Sequence, residues 1–116
     1  MKYTRIYSDA NGESHFQDVE VGMKTAPYNT GSISEMIAAK GVMFRMWPDY
    51  VVDWHNAPCR QFVVNVTGTL EVEASDGEKR RFGPGTILLA EDVTGKGHIS
   101  RGMGGERLSL FIPLAD

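Results

Sequence analysis

Apolar and polar residues alternate over short stretches of the chain, and turn residues separate these stretches. In Thr69–Ala74 every second residue is apolar, which is typical of a strand with one buried face. The preceding run Phe62–Val66 is rich in β-branched residues and closes at Thr67-Gly68, which predicts a strand buried on both faces. Gly68 stands between the two predicted strands, and we interpret it as the turn of a β-hairpin.

Further short apolar stretches recur about every ten residues, with Gly and Pro between them. Such spacing is typical of an all-β sandwich or barrel. The predicted strands outside Thr69–Ala74 are Lys2–Tyr7, His15–Met23, Val42–Trp47, Cys59–Val66, Glu78–Phe82, Thr86–Ala90, His98–Arg101 and Arg107–Leu114.

One segment is compatible with a helix. Ile33–Lys40 carries Ser34 as a possible N-cap and is followed by Gly41, so we predict at most one short helix here. The preceding Ala26–Ser34 holds proline, asparagine, glycine and two serines, which predicts a loop.

Composition narrows the class of protein. The 116 residues are sufficient for one domain, which we place at 1–116. A single cysteine, Cys59, excludes an internal disulfide framework and favours a reducing compartment. The net charge of −3 gives no electrostatic reason to expect a nucleic-acid partner. No run approaches ~18 apolar residues and the N-terminus has no signal-peptide core, so we expect a cytoplasmic protein without a membrane partner.

The segment from Asp53 to Arg101 resembles the two conserved motifs of the cupin superfamily. The first motif reads His-x-His, then three or four residues, Glu, six residues and Gly; His55, Gln61 and Gly68 stand at its first histidine, its glutamate and its glycine. Ala57 occupies the second histidine position.

The second motif is a Pro-Gly turn that opens a strand, with a histidine at the start of the next strand. Pro84-Gly85, the strand Ile87–Ala90 and His98 match that outline, with a longer loop before the histidine. The run Leu89–His98 is also similar to one in small single-domain bacterial cupins. The resemblance implies a jelly roll, also called a double-stranded β-helix, which forms the cupin barrel.

The resemblance also implies a metal site in the barrel, held by His55, Gln61 and His98. Imidazole suits Fe, Mn, Zn or Ni, but the amide of Gln61 stands where a carboxylate would complete a two-histidine, one-carboxylate set. We therefore expect a degenerate site with a weakly bound divalent metal. The alternative is a metal-free cavity in which both histidines form hydrogen bonds to a ligand or to water.

Other residues are candidates for a ligand pocket. Arg45 and Trp47 share one face of the predicted strand before the motif; facing inwards, they could hold a carboxylate and stack on a planar ligand, and facing outwards they would be solvated. Cys59 lies between His55 and Gln61 and is either a thiol near the site or a small buried residue.

Asp92 and Lys96 flank the loop before His98. They could supply an acid or a base to the site, but a surface ion pair between them is the more common arrangement.

Three functions remain compatible with this pattern. The first is a protein that binds a small polar or aromatic metabolite, and the second is a metal-dependent isomerase, decarboxylase or dioxygenase that uses His55, Gln61 and His98. The third is an interaction protein with a filled core. Because Phe62, Val64 and Val66 would face away from the core, we also expect a second layer over them, most simply from the partner in a homodimer.

Overall fold

Strands make up nearly all the regular structure of the chain. The computed structural model describes residues 1–116. Its helical content is one 3₁₀ turn at Pro27–Asn29. The strands are β1 (Lys2–Ser8), β2 (Ser14–Glu20), β3 (Lys24–Thr25), β4 (Ser32–Ile33), β5 (Met43–Trp47), β6 (Val51–His55), β7 (Gln61–Asn65), β8 (Thr69–Ala74), β9 (Lys79–Phe82), β10 (Ile87–Ala90), β11 (His98–Met103) and β12 (Arg107–Pro113). The all-β class predicted from the sequence is confirmed.

Two open sheets form the body of the molecule. The larger sheet has six strands in the order β2-β1-β10-β7-β12-β5, and the smaller has four in the order β6-β11-β8-β9. Strands β3 and β4 form a separate short pair. All pairings are antiparallel except that of β1 with β10. No helix in the structure has the length and apolar character needed to cross a membrane.

The hydrophobic core lies between the two larger sheets, because each sheet presents the apolar positions of its alternating strands to the other. The six-stranded sheet contributes Ile6, Phe16, Val63, Leu88 and Phe111 to the core, and the four-stranded sheet contributes Leu70, Val72, Ala74 and Phe82. In β7 the residues Gln61, Val63 and Asn65 are buried. Of the two polar residues in this row, Asn65 donates to the backbone oxygens of Gly68 and Phe82 and so has a structural role.

The predicted hairpin at Gly68 is wrong. Strand β7 is hydrogen-bonded on one side to β10 and on the other to β12, so neither edge is free for β8, which lies in the other sheet. Gly68 therefore carries the chain from one sheet to the other, with a φ of 72° that favours glycine. A Cβ at this position would also lie 3.0 Å from Cγ of Arg107.

The predicted helix at Ile33–Lys40 is also absent. After β4 the segment has no regular structure apart from a bridge between Ala39 and Leu114. Met36 is 95% exposed and Ile37 is also exposed, so no apolar face is buried there. A helix of eight residues gains too little from its own hydrogen bonds to form without such packing. Strand β4 also occupies the end of the segment that was predicted to be a loop.

Two further expectations need correction. Strand β6 was not predicted; its residues are mostly exposed, and it pairs with β11 alone. Strand β7 is not buried on both faces, since Phe62 and Val64 on its outer face are only half-buried. Tyr3 contacts Phe62 edge-on from β1, with ring centroids 5.2 Å apart, but this covers only part of the outer face.

Candidate active-site cavity

A cavity of about 200 Å³ lies between the two sheets. Ten of its sixteen lining residues are hydrophobic, and the polar and charged side chains among the rest are few and distinct in chemistry. They are Arg45, Tyr50, His55, Gln61, His98 and Ser100. A mostly apolar cavity with a few convergent polar groups is the usual form of a small-molecule site.

Five of the six residues predicted for the pocket line this cavity: Arg45, Trp47, His55, Gln61 and His98. Cys59 does not. Its Sγ lies 3.7 Å from Oε1 of Gln61, so the thiol contacts a lining residue from outside the cavity. Residues from four separate strands, β5, β6, β7 and β11, thus line one cavity because each strand presents them to the space between the sheets.

The two histidines lie beside each other at one end of the cavity. His55 and His98 are Cα partners in the pairing of β6 with β11, and their ring centroids are 4.3 Å apart. Nδ1 of His55 donates to the backbone oxygen of Asp53 at 2.7 Å. Nδ1 of His98 contacts the carboxylate of Asp92 at 2.5 Å. With Nδ1 held in each ring, Nε2 is the nitrogen left to act in the cavity.

Asp92 is the main residue at this end that sequence reasoning misjudged. It is fully buried and paired with His98, whereas the surface partner expected for it, Lys96, binds Glu13 at 2.6 Å. The second carboxylate oxygen, Oδ1, has no hydrogen-bond partner. The expected surface ion pair is therefore wrong, because the loop before His98 folds inwards at Asp92 and outwards at Lys96.

Backbone contacts hold that loop against β6. The side-chain amide of Asn56, through Nδ2, donates to the backbone oxygens of Asp92 at 3.2 Å and Gly95 at 3.1 Å. Gly97 packs so closely that a Cβ there would lie 2.2 Å from the backbone oxygen of His55. The positions of Asp92 and the two imidazoles are thus fixed by the same contact between the loop and β6.

Gln61, at the start of β7, lines the same cavity as the two histidines. It is only 4% exposed, and apart from the thiol of Cys59 it has no hydrogen bond to another side chain. Its amide oxygen is the third possible metal ligand, beside the two imidazoles. His, Cys, Asp and Glu side chains form no group of three that could hold a metal ion. The anchored imidazoles fit a metal centre, while the neutral amide makes the set poorer than two histidines and a carboxylate.

The other end of the cavity is built around Trp47. The guanidinium carbon of Arg45 lies 3.9 Å from the centroid of this indole, and that of Arg107 lies 4.1 Å from it. The indole Nε1 donates to Oγ of Ser109 at 3.4 Å, and that hydroxyl donates to Oδ1 of Asn65 at 3.4 Å. The indole is thus oriented from behind by a polar chain that continues into β7.

Arg107 was not predicted to have a role, yet it is a fully buried charged residue. No hydrogen bond of good geometry reaches its guanidinium nitrogens or the hydroxyl of Tyr50, although the two groups are close neighbours. Burial lowers the pKa of Arg107, and the neighbouring Tyr50 phenol opposes that shift. Burial raises the pKa of Tyr50, and Arg107 opposes that rise. The alternation of β12 puts Arg107 on the same inner face as Ser109 and Phe111. Sequence reasoning missed it because an arginine at the end of a strand is more often exposed to solvent.

The arginine end and the histidine end are separated along the strands. Arg45 pairs with Ser109, which pairs with Asn65, and Asn65 is four residues beyond Gln61 on β7. Four residues of strand span about 13 Å. The cavity between these ends is walled by apolar residues, among them Val63, Val72 and Leu88.

Comparison with family models matched none of them to this chain, and no curated protein matched it either.

Proposed function

We propose that this chain binds a small polar or aromatic metabolite in the cavity between its sheets, and that its fold is a jelly roll of the cupin type. The motif resemblance over Asp53–Arg101 supports the cupin assignment, together with the two facing sheets that these motifs help to form. The observation that carries the functional proposal is the cavity itself, which has arginine and tryptophan at one end and two anchored histidines at the other.

The cavity also limits the ligand. Its volume of about 200 Å³ is below the roughly 300–1,000 Å³ typical of sites for drug-sized molecules, so the ligand is small. The apolar middle and the flat indole of Trp47 suit a planar or ring-containing molecule. Hydrogen-bonding groups at both ends suit polar substituents on opposite sides of that ring.

The proposal is tested on protein purified without a chelator. Native mass spectrometry of the folded protein, followed by denaturation and analysis of the released fraction, should show a small organic molecule. Elemental analysis of the same sample should show substoichiometric metal. Stoichiometric metal with no organic ligand would contradict the proposal and favour the second candidate.

The second candidate is a metal-dependent enzyme of the isomerase, decarboxylase or dioxygenase type, with His55, Gln61 and His98 as metal ligands. The observation that favours it is the anchoring of both Nδ1 atoms, which fixes each ring as a ligand through Nε2. A divalent metal bound there would supply Lewis acidity to a substrate in the cavity.

The amide of Gln61 provides the test of this candidate. Calorimetric titration with Fe²⁺, Mn²⁺ and Zn²⁺ should show weak binding by the wild type and tighter binding by Gln61→Glu, because the carboxylate adds a charged donor. The variant Gln61→Glu/His98→Ala should lose that gain. Tight stoichiometric binding by the wild type would instead establish the metal centre without any substitution. A Gln61→Glu variant that gains nothing would remove Gln61 from the ligand set.

We also propose that the chain forms a homodimer through the outer face of the six-stranded sheet. This outer face is the set of outward positions on β5, β7 and β12, and none of them is charged: Phe44, Met46, Phe62, Val64, Leu108, Leu110 and Ile112. Phe44 is 79% exposed and Met46 is also exposed in the single chain. An extended apolar face without charges is characteristic of an interface between permanent partners, and a twofold pairing is the most common one.

A further inference from the structure

The least explained charge in the molecule is that of Arg107. Its side chain is fully buried, and Nε, Nη1 and Nη2 all lack a hydrogen-bond partner. Glycines make room for it, since a Cβ at Gly68 would lie 3.0 Å from its Cγ and one at Gly102 would lie 2.8 Å from its Nη1. A buried guanidinium is normally paired or fully hydrogen-bonded, because an unpaired buried charge is costly. This one has a fitted slot, in which its neighbours are the ring of Trp47 and the phenol of Tyr50 and no carboxylate pairs with it.

A second arginine shares the same aromatic ring. Arg45 lines the cavity, and its guanidinium and that of Arg107 both lie about 4 Å from the centroid of Trp47. Neither arginine takes part in any of the ion pairs of the molecule. No aspartate or glutamate lines the cavity. The Trp47 end therefore carries two positive charges without an ion pair: Arg45 is exposed to solvent, and the nearest carboxylate influence on Arg107 is that of Asp49.

Tyr50 connects the buried guanidinium to the cavity. Its ring lines the cavity and packs on Trp47, with centroids 4.9 Å apart. Its hydroxyl is buried beside the guanidinium of Arg107, and neither group forms a hydrogen bond of good geometry. The unpartnered donors are thus grouped behind and beside one indole ring.

We infer that the Trp47 end of the cavity is an anion subsite, and that the ligand presents a carboxylate to it. The inference rests on the proposed binding function and adds the charge and the orientation of the ligand. Arg45 contacts the carboxylate directly, because it lines the cavity. Arg107 adds its charge from behind Trp47, and the Tyr50 hydroxyl is the donor between them. A carboxylate fits better than a phosphate for two reasons. Its two oxygens lie in one plane and can pair with a guanidinium that is stacked on the ring of Trp47, and it occupies less volume.

The opposite end then receives the remainder of the ligand. With the carboxylate at Trp47, the ring lies among the apolar walls and the far substituent reaches towards His55, Gln61 and His98. The ligand class is therefore a small aromatic or unsaturated carboxylic acid with a polar group on the side away from the carboxylate.

Matched probes test this inference in solution. The variant Trp54→Phe leaves Trp47 as the only tryptophan, so its fluorescence reports on the site. Benzoate, phenylphosphonate and the neutral isostere benzamide are titrated into this protein. We expect benzoate to bind about 10- to 100-fold more tightly than benzamide, since a charge-assisted bond is lost in the amide. We also expect phenylphosphonate to bind more weakly than benzoate.

Substitutions then locate the subsite. Arg45→Met and Arg107→Met should each bring benzoate down towards the affinity of benzamide. Arg81→Met removes the same charge from an exposed strand position paired with Glu71, and it should leave both affinities unchanged. Equal binding of benzoate and benzamide would overturn the anion subsite while leaving the proposed binding function standing. Failure of all three probes to bind would contradict the proposed function as well as the subsite. Preference for phenylphosphonate would overturn the assignment to a carboxylate.

The stability of Arg107→Met provides an independent measurement. If Arg107 lacks a partner in the ligand-free chain, methionine of similar length should raise the melting temperature in buffer without added anions. The stabilisation that benzoate gives the wild type should be absent in this variant. A lower melting temperature together with a retained benzoate effect would show that Arg107 is a structural residue and would overturn its assignment. Arg107→Lys, which keeps the charge, should retain part of the benzoate preference.

Discussion

The carboxylate of Asp92 lies 2.5 Å from Nδ1 of His98, and both side chains are buried. An unpaired histidine ring can place its proton on either nitrogen, so a buried carboxylate on one side determines which nitrogen faces the cavity. In His55 it is also Nδ1 that is held, by the backbone oxygen of Asp53. One histidine therefore depends on a side chain for its orientation, and the other does not.

This difference predicts unequal effects of two substitutions. In the Gln61→Glu background, Asp92→Asn should weaken Zn²⁺ binding about 10- to 100-fold, as the loss of a second-layer carboxylate does in other metal sites. Asp53→Asn should change it little, because the backbone oxygen that holds His55 remains. Calorimetric titration measures both. Equal losses in the two variants would mean that Asp92 acts only through general stability.

Crowding at Gly97 makes a second prediction. Gly97 has a φ of 74°, and a Cβ there would lie 2.2 Å from the backbone oxygen of His55. Gly97→Ala should destabilise the fold by clearly more than about 1 kcal/mol, because strain at positive φ and the clash add together. Gly77→Ala is the matched control, since Gly77 has a φ of 97° and no atom near its Cβ position. Denaturant unfolding of both variants isolates the clash, and similar losses would show that the loop and β6 are not in close contact.

The polar cluster at His15 makes the stability depend on pH. The ring lies 2.8 Å from Asp9 and 3.0 Å from Asp76, and these carboxylates, Asp9 first, raise the pKa of His15 above its ordinary 6.5. A raised pKa gives stability that is fully present below pH 6.5 and is lost as the pH rises through the folded-state value. Urea unfolding should therefore give a slightly lower free energy of unfolding at a pH above the folded-state pKa of His15 than at a pH below 6.5. His15→Gln should abolish that loss, and an unchanged pH profile in the variant would assign the effect to other groups.

The outer face of the six-stranded sheet predicts the oligomeric state. We expect the wild type to sediment as a dimer at micromolar concentration and Phe44→Glu to sediment as a monomer, because a charge would then be buried in an apolar interface. Tyr28→Glu is the control, since Tyr28 is 97% exposed and lies outside the outer face. A wild-type monomer would contradict the homodimer. An unaffected Phe44→Glu dimer would place the interface elsewhere.

Local alternation predicted most strands because strand side chains have a fixed period of two. It could not reveal that β7 and β8 belong to different sheets. The sequence of the turn at Gly68 does not show that both edges of β7 are already paired, one with β10 and the other with β12. The helix prediction failed for a similar reason, since Met36 and Ile37 have no surface in the chain to pack against.

The candidate site was only partly predictable. The motif spacing pointed to His55, Gln61 and His98, and the parity of β5 pointed to Arg45 and Trp47. The burial of Asp92 depends on how a loop folds, and that of Arg107 on the space left by Gly68 and Gly102. Neither property leaves a local signal in the sequence.

The central claim is that the cavity binds a small molecule between its arginine and histidine ends, and nuclear magnetic resonance tests it most directly. Small aromatic carboxylic acids, with a polar group opposite the carboxylate, are added to ¹⁵N-labelled protein. Binding should shift the indole signal of Trp47 and the ring signals of His55 and His98, and leave the indole of the exposed Trp54 in place. A panel in which no compound shifts the Trp47 and histidine signals together would contradict the claim, as would shifts confined to Trp54.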